Sequence, residues 1–132
     1  MGAGQALQQA AAARLREATS LAVYEAPPVQ AAFPYAVVET ASETDWGHKS
    51  GEGREVRLAV TLRDAGESPL RLRQLVDAAE AALAEAPETA GWQVASFAWL
   101  RSRMVREGRP PAAVEWTGLI DYRARMLAAA EA

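Results

Sequence analysis

Along residues 54–63, REVRLAVTLR, the apolar side chains Val56, Leu58, Val60 and Leu62 alternate with Glu55, Arg57 and Thr61. A period of two sends the first set to one side of an extended chain and the second to the other, predicting a strand with one buried face and one wet face. The residues that follow, DAGESPL from Asp64 to Leu70, break the strand and open a helix, with Ser68 placed to cap it and Pro69 suited to its first turn. Leu72, Leu75, Val76, Ala79 and Leu83 then recur at three- and four-residue intervals, a stripe that fits across the apolar face of the strand just left. This helix is expected to run from about Leu70 to Ala86, where Pro87 stops it.

The same reading extends to both ends of the chain. Residues 3–18 are strong helix formers with a thin stripe of Leu7, Ala11, Leu15 and Ala18. Thr19 to Glu25 is read as a short strand closed by Pro27 and Pro28, and Tyr35 to Thr40 as a second strand entered after Pro34. Ala41 to Gly53, ASETDWGHKSGEG, is polar and glycine-rich and is read as a long loop displaying Trp46. Trp92 to Val105 is strand-like, with a phase shift between Val94 and Phe97 of the kind a bulge produces. Arg106 to Pro111 closes a hairpin whose return arm, Val114 to Arg125, places Val114, Trp116, Ile120 and Tyr122 on one side. The tail from Met126 is expected to form a helical turn or to fray. Together these elements predict one α+β domain over residues 1–132, with a mainly antiparallel sheet, a long C-terminal hairpin and two packing helices, N-terminal and central.

Composition narrows the chemistry. With 132 residues, half of them apolar, the chain can bury one core. A net charge of −3 calls for neither nucleic acid nor an anionic membrane, and the absence of cysteine removes disulfides and thiolate chemistry. No stretch approaches the roughly 18 apolar residues of a membrane span, and the first residues lack the pattern of a signal peptide, so cytoplasmic synthesis is expected. Met1-Gly2 does not make a myristoylation signal, because Ala6 stands where Ser or Thr is required.

His48, the single histidine, has Glu43, Asp45 and Glu52 nearby in sequence, but a Gly- and Ser-rich loop offers no fixed ligand frame, so it is read as a solvated loop residue rather than a metal ligand. None of Ser42, Ser50, Ser68, Ser96 and Ser102 lies in a nucleophile-elbow setting, and no spacing favours a carboxylate pair. No cofactor is implied. Arg101, Arg103, Arg106 and Arg109 are read as a cluster at the hairpin tip, suited to a charged protein interface more than to a phosphate backbone. Trp92, Trp99 and Trp116 are read as core residues and Trp46 as the exposed exception.

The order of these elements resembles a known family. A leading helix, Phe33-Pro34-Tyr35 entering a strand, a glycine-rich segment with Asp45-Trp46, the Val56 to Leu62 strand, the LVDAAEAAL helix and a final long hairpin are similar to the tail-completion, or tail-terminator, proteins of long-tailed phages and gene transfer agents. The family strand often continues into a tryptophan or a serine-arginine end, where this chain has Thr61-Leu62-Arg63-Asp64. The resemblance implies a non-catalytic structural subunit of the virion neck, assembled in the bacterial cytoplasm. It further implies a ring, usually sixfold, that ends the tail tube and joins it to the head-proximal connector. Partners would be further copies of the chain, the tail tube protein and the connector, with DNA only as cargo through the lumen. Six copies at −3 each carry −18, which would repel passing DNA. Asp45, Trp46, His48, Lys49 and Arg54 on one protrusion, and Arg101, Arg103, Arg106 and Arg109 on the other, are the expected contacts. The alternatives are another connector or neck subunit, or a small cytoplasmic enzyme or ligand-binding domain marked by a deep pocket of titratable groups.

Overall fold

The computed structural model describes residues 1–49, 51–109 and 111–129. Its elements are α1 (Ala3–Ala18), β1 (Ala22–Tyr24), β2 (Tyr35–Asp45), β3 (Gly53–Ala65), α2 (Leu70–Ala82), β4 (Trp92–Glu107) and β5 (Glu115–Ala128). The five strands form one sheet in the order β1-β2-β3-β5-β4, antiparallel except for the β1–β2 pair. This is the expected α+β architecture. The period-two strand, β3, lies at its centre.

Both helices lie on the same side of that sheet, because only one side is apolar. Val56, Leu58, Val60 and Leu62 of β3 face them and are at most 1% exposed, and Ile120, Tyr122, Ala124 and Met126 of β5 continue the same surface. Against it pack Leu7, Ala11 and Leu15 of α1, then Leu72, Val76 and Ala79 of α2 with Leu83 just beyond. Ala18, the last member of the stripe expected on α1, is exposed; the packing face instead recruits Ala3, Gly4, Ala6 and Ala12. Small residues let the backbones approach. A Cβ on Gly4 would stand 2.9 Å from Cγ2 of Thr40, and one on Gly118 would stand 2.7 Å from Cγ2 of Val76.

Several local readings change, each for a physical reason. Much of the stretch read as a long loop is strand: β2 runs on to Asp45, paired with Arg54, and only the short link 46–52 separates it from β3. A bulge between Thr40 and Ser42 shifts its phase, and both of its faces are polar because it extends past the packed core. Here Glu43 turns to the helix side and accepts the backbone N–H of Gly4 at 3.2 Å. Helix α2 ends at Ala82, one turn short, and Ser68 Oγ accepts the N–H of Leu70 at 3.2 Å. The C-terminal segment extends β5 to Ala128, burying Met126, with the Ala128 N–H donated to the Glu52 carbonyl at 2.9 Å. Trp99 is 56% exposed, since β4 is the outermost strand, while Trp92 and Trp116 are half-buried against the core. The bulge expected near Val94 lies between Val94 and Ser96, and a second lies between Trp99 and Arg101.

The sheet edges are treated differently. β1 is only three residues long, and past it the Thr40 N–H of β2 is taken by Gln8 Oε1 of α1 at 2.8 Å. The opposite edge is β4, sixteen residues with two bulges and three arginines, devices that discourage indiscriminate edge pairing.

Candidate assembly surfaces

The sheet side without helices is a grid whose rows are set by strand register. One row reads Thr44, Glu55, Arg125, Ser96; the next Ser42, Arg57, Arg123, Ala98; then Glu39, Ala59, Asp121, Arg101; then Val37, Thr61, Leu119, Arg103; then Tyr35, Arg63, Thr117, Val105. Alternation puts most of the polar residues of β3 and β5 on this side once those strands turn their apolar residues inward, while Tyr35, Val37 and Thr117, on the same side, are at most 8% exposed. Charges facing each other across the strands are mostly matched. Arg125 meets Glu55 at 3.1 Å, and Arg101 meets Asp121 at 2.8 Å. Glu107 and Glu115 stand directly opposite one another, and Arg63 reaches both, at 3.8 and 2.5 Å. Arg63 also lies 5.9 Å from the ring centre of Phe33, which stacks on Tyr35.

The two expected protrusions lie at opposite ends of this grid. Gly53 pairs with Leu127, so the 46–52 turn sits where β5 ends; Ala65 pairs with Glu115, so the β4–β5 turn sits where β5 begins. With fourteen residues in β5, the separation is roughly 45 Å. At the first end the Trp46 N–H donates to the Gly53 carbonyl at 3.0 Å, and His48 and Gly51 exchange backbone hydrogen bonds. A Cβ on Gly53 would collide with the Trp46 carbonyl, which explains the glycine. Trp46 is half-buried, a correction to its expected exposure: His48 packs edge-on 4.8 Å away, and the Arg125 guanidinium lies 5.8 Å from its centre. Arg54 reaches Asp45 and Glu52, each at 3.3 Å, and His48 and Lys49 are exposed.

At the other end the four arginines do not form one cluster. Arg101 and Arg103 lie within β4 on the bare side, opposite Asp121 and Leu119. Arg106 faces the helix side, 6.0 Å from the ring centre of Trp116, whose indole N–H donates to the Gly66 carbonyl. Only Arg109 belongs to the turn, where its carbonyl accepts the Ala112 N–H at 2.8 Å. Residues spaced by two share a face, so Arg101 and Arg103 stay together, while the odd spacing from Arg103 to Arg106 in a continuous register puts Arg106 on the other face.

Two further groups went unmarked in the sequence. Arg57 and Arg123 stand directly opposite each other on the bare side, and the signal that unites them is a pairing between β3 and β5, which is non-local. Asp64, the residue that departs from the family's strand end, is 3% exposed and takes a two-pronged contact from Arg71, with Nε at 2.8 Å and the second nitrogen at 2.5 Å. That hydrogen bond holds the Asp64 carboxyl below its usual range, with burial opposing and the Ala65 N–H assisting. On the helix side, Ser102 Oγ accepts the Trp99 indole N–H and contacts Glu80, which occupies the hydroxyl, while His48 lies at the 46–52 turn, outside that group. Burial pushes the Tyr122 phenol well above its usual range, and Glu80 adds to this. Among the described residues no three of His, Asp and Glu converge as a metal site, and no helix is long and apolar enough to cross a membrane.

A covered face, a bare charged face and turns projecting from opposite ends define an α+β subunit whose free surfaces suit protein contacts. The family described as "Tail completion protein gp17" matches residues 5–127, and the chain belongs to that family. It is a structural protein of a phage-type tail and resides in the particle. Among solved structures, a chain of the "Virion of native gene transfer agent (GTA) particle" shares its fold, with a TM-score of 0.69 and 21% identity over 93% of this chain and 96% of that one. No curated protein sequence matches at a significant level.

Proposed function

We propose that the chain acts as one domain and forms a closed ring of six copies that ends the tail tube and joins it to the head-proximal connector, without catalysing a reaction. The observation that carries this reading is the placement of the two turns at opposite ends of one continuous sheet, separated by the length of β5. A subunit with its strands along the tail axis then presents one turn to the tube and the other to the connector, and its sides to neighbouring copies. DNA passes through the lumen as cargo. The virion of a native gene transfer agent, named for the structural neighbour, supports the setting of a tailed particle. Asp45, Trp46, His48, Lys49 and Arg54 form one axial contact, Arg106 and Arg109 the other; Arg101 and Arg103 face the side. A particle carrying both Trp46→Ala and Arg109→Glu is expected to yield unjoined heads and tubes under electron microscopy. Full-length tails attached to heads at normal yield would remove both assignments.

A further inference from the structure

We infer that Arg57 and Arg123 form the receiving half of a contact between copies of this chain, and that the acidic segment just after α2 on the neighbouring copy, Glu85 and Glu88, fills it. The inference rests on the ring reading above and names its lateral surfaces.

The bare face holds two directly opposed like-charge pairs, and they are treated unequally. Glu107 and Glu115 share Arg63 as counterion. Arg57 and Arg123 have no carboxylate within 4.0 Å among the described residues, since Asp121 is engaged by Arg101 and Glu55 by Arg125. Like charges directly opposite one another on a sheet face are destabilising. Arg123 Nε is buried with no hydrogen-bond partner, an arrangement that costs free energy until an acceptor arrives. Beside Arg57 an open hollow of about 500 Å³ runs past Ser42, Leu100 and Asp121, wide enough to admit a side chain.

A second copy can supply the acceptor. α2 has no basic residue in its last turn, so its carbonyl end is negative, and Glu85 and Glu88 add two exposed carboxylates with no basic partner among the described residues. Arg14 takes one carbonyl there, that of Ala82, at 3.2 Å, leaving the two glutamates free. Donor and receiver lie on opposite sides of the sheet. Their union is therefore head-to-tail, the type of contact that closes into rings when the rotation permits. Their levels also agree: residues 83–91 lead from α2 to the start of β4, the end of the sheet to which the Arg57–Arg123 row is nearer. Copies rotated about an axis along the strands keep that level.

The test uses the full chain, which has no cysteine to interfere. Sedimentation velocity is measured for the native chain, for Arg57→Glu with Arg123→Glu, for Glu85→Arg with Glu88→Arg, and for all four changes together, alone and with the tail tube protein; circular dichroism checks folding. Each reversed pair is expected to raise the concentration of half-assembly at least about tenfold, and the fourfold exchange to recover it. A second variant pair, Arg57→Cys with Glu88→Cys, is expected to give a ladder of covalent oligomers with a short bis-maleimide. If the native chain forms rings that survive either reversal and give no ladder, the contact is overturned and the ring stands. If the native chain stays monomeric in every mixture, the ring falls and the contact with it. If reversing the arginines lowers only retention on double-stranded DNA, the face binds phosphate and the inference is wrong.

Discussion

The two sides of the sheet are made from the same strands, residue by residue, yet they are built to different rules. On the helix side, Val56, Leu58, Val60, Leu62 and Ile120 are at most 1% exposed and belong to one hydrophobic cluster with both helices. On the other side the same strands present Glu55, Arg57, Ala59, Thr61 and Asp121 to solvent, tied by ion pairs that are mostly part-exposed. Exposed ion pairs contribute little, with a median near 0–1 kcal/mol, whereas each large buried aliphatic contributes about 1.5–3 kcal/mol. Stability therefore resides on one side, and the other is left free to be specified by partners. Such a division suits a structural protein of a tailed particle.

The sharpest way to break the comparison is to exchange matched residues of β3. Leu58→Ala removes a side chain that is 1% exposed between the two layers, and it should cost about 2–5 kcal/mol in urea denaturation. Ala59 is its neighbour on the bare side, and Ala59→Ser should change the midpoint by less than about 0.5 kcal/mol. Comparable losses at both positions would show that the bare face is also part of the core.

This asymmetry explains what could be read beforehand. The period-two run of β3, the stripe of α2 and the return arm of β5 were legible, because a buried face imposes its periodicity locally. The strand from Ala41 to Asp45 was not, because it runs past the helices and both of its faces are polar, leaving Glu43 to bind Gly4 and a bulge to shift its phase. Trp99 misled for the related reason that a strand position says nothing about whether its strand is central or outermost. The arginines of β4 look like one patch as text, but the odd spacing from Arg103 to Arg106 allots them to two faces. The pair Arg57 and Arg123, 66 residues apart in the chain, becomes visible only when β3 is laid against β5.

A smaller effect tests the ionic contact that joins β3 to α2. Asp64 extends the inward row of β3 and fastens the strand end to the first turn of α2 through Arg71. Because its carboxyl is held below its usual range in the folded chain, the stability it contributes is complete above the unfolded value near pH 4 and is lost as pH falls through the folded value. Asp64→Asn should cost about 1 kcal/mol at pH 7. The difference from the native chain should shrink below about pH 4. A gap that is constant from pH 7 to pH 3 would show that geometry, not charge, supplies the contact.

The smallest expected effect has the opposite sign. Arg57→Thr leaves a residue well suited to a strand and relieves the repulsion with Arg123 across the β3–β5 ladder, so the isolated subunit should gain about 0.2–1 kcal/mol. Salt screens exposed charges, so the gain should be larger at low ionic strength and fade toward 1 M salt. The same substitution should weaken association between copies, because it removes half of the receiving pair. A residue that destabilises the fold while strengthening assembly belongs to the interface rather than to the core. If Arg57→Thr lowers subunit stability at every salt concentration, the two arginines already have partners within the chain, and the bare face is less available to other copies than its register implies.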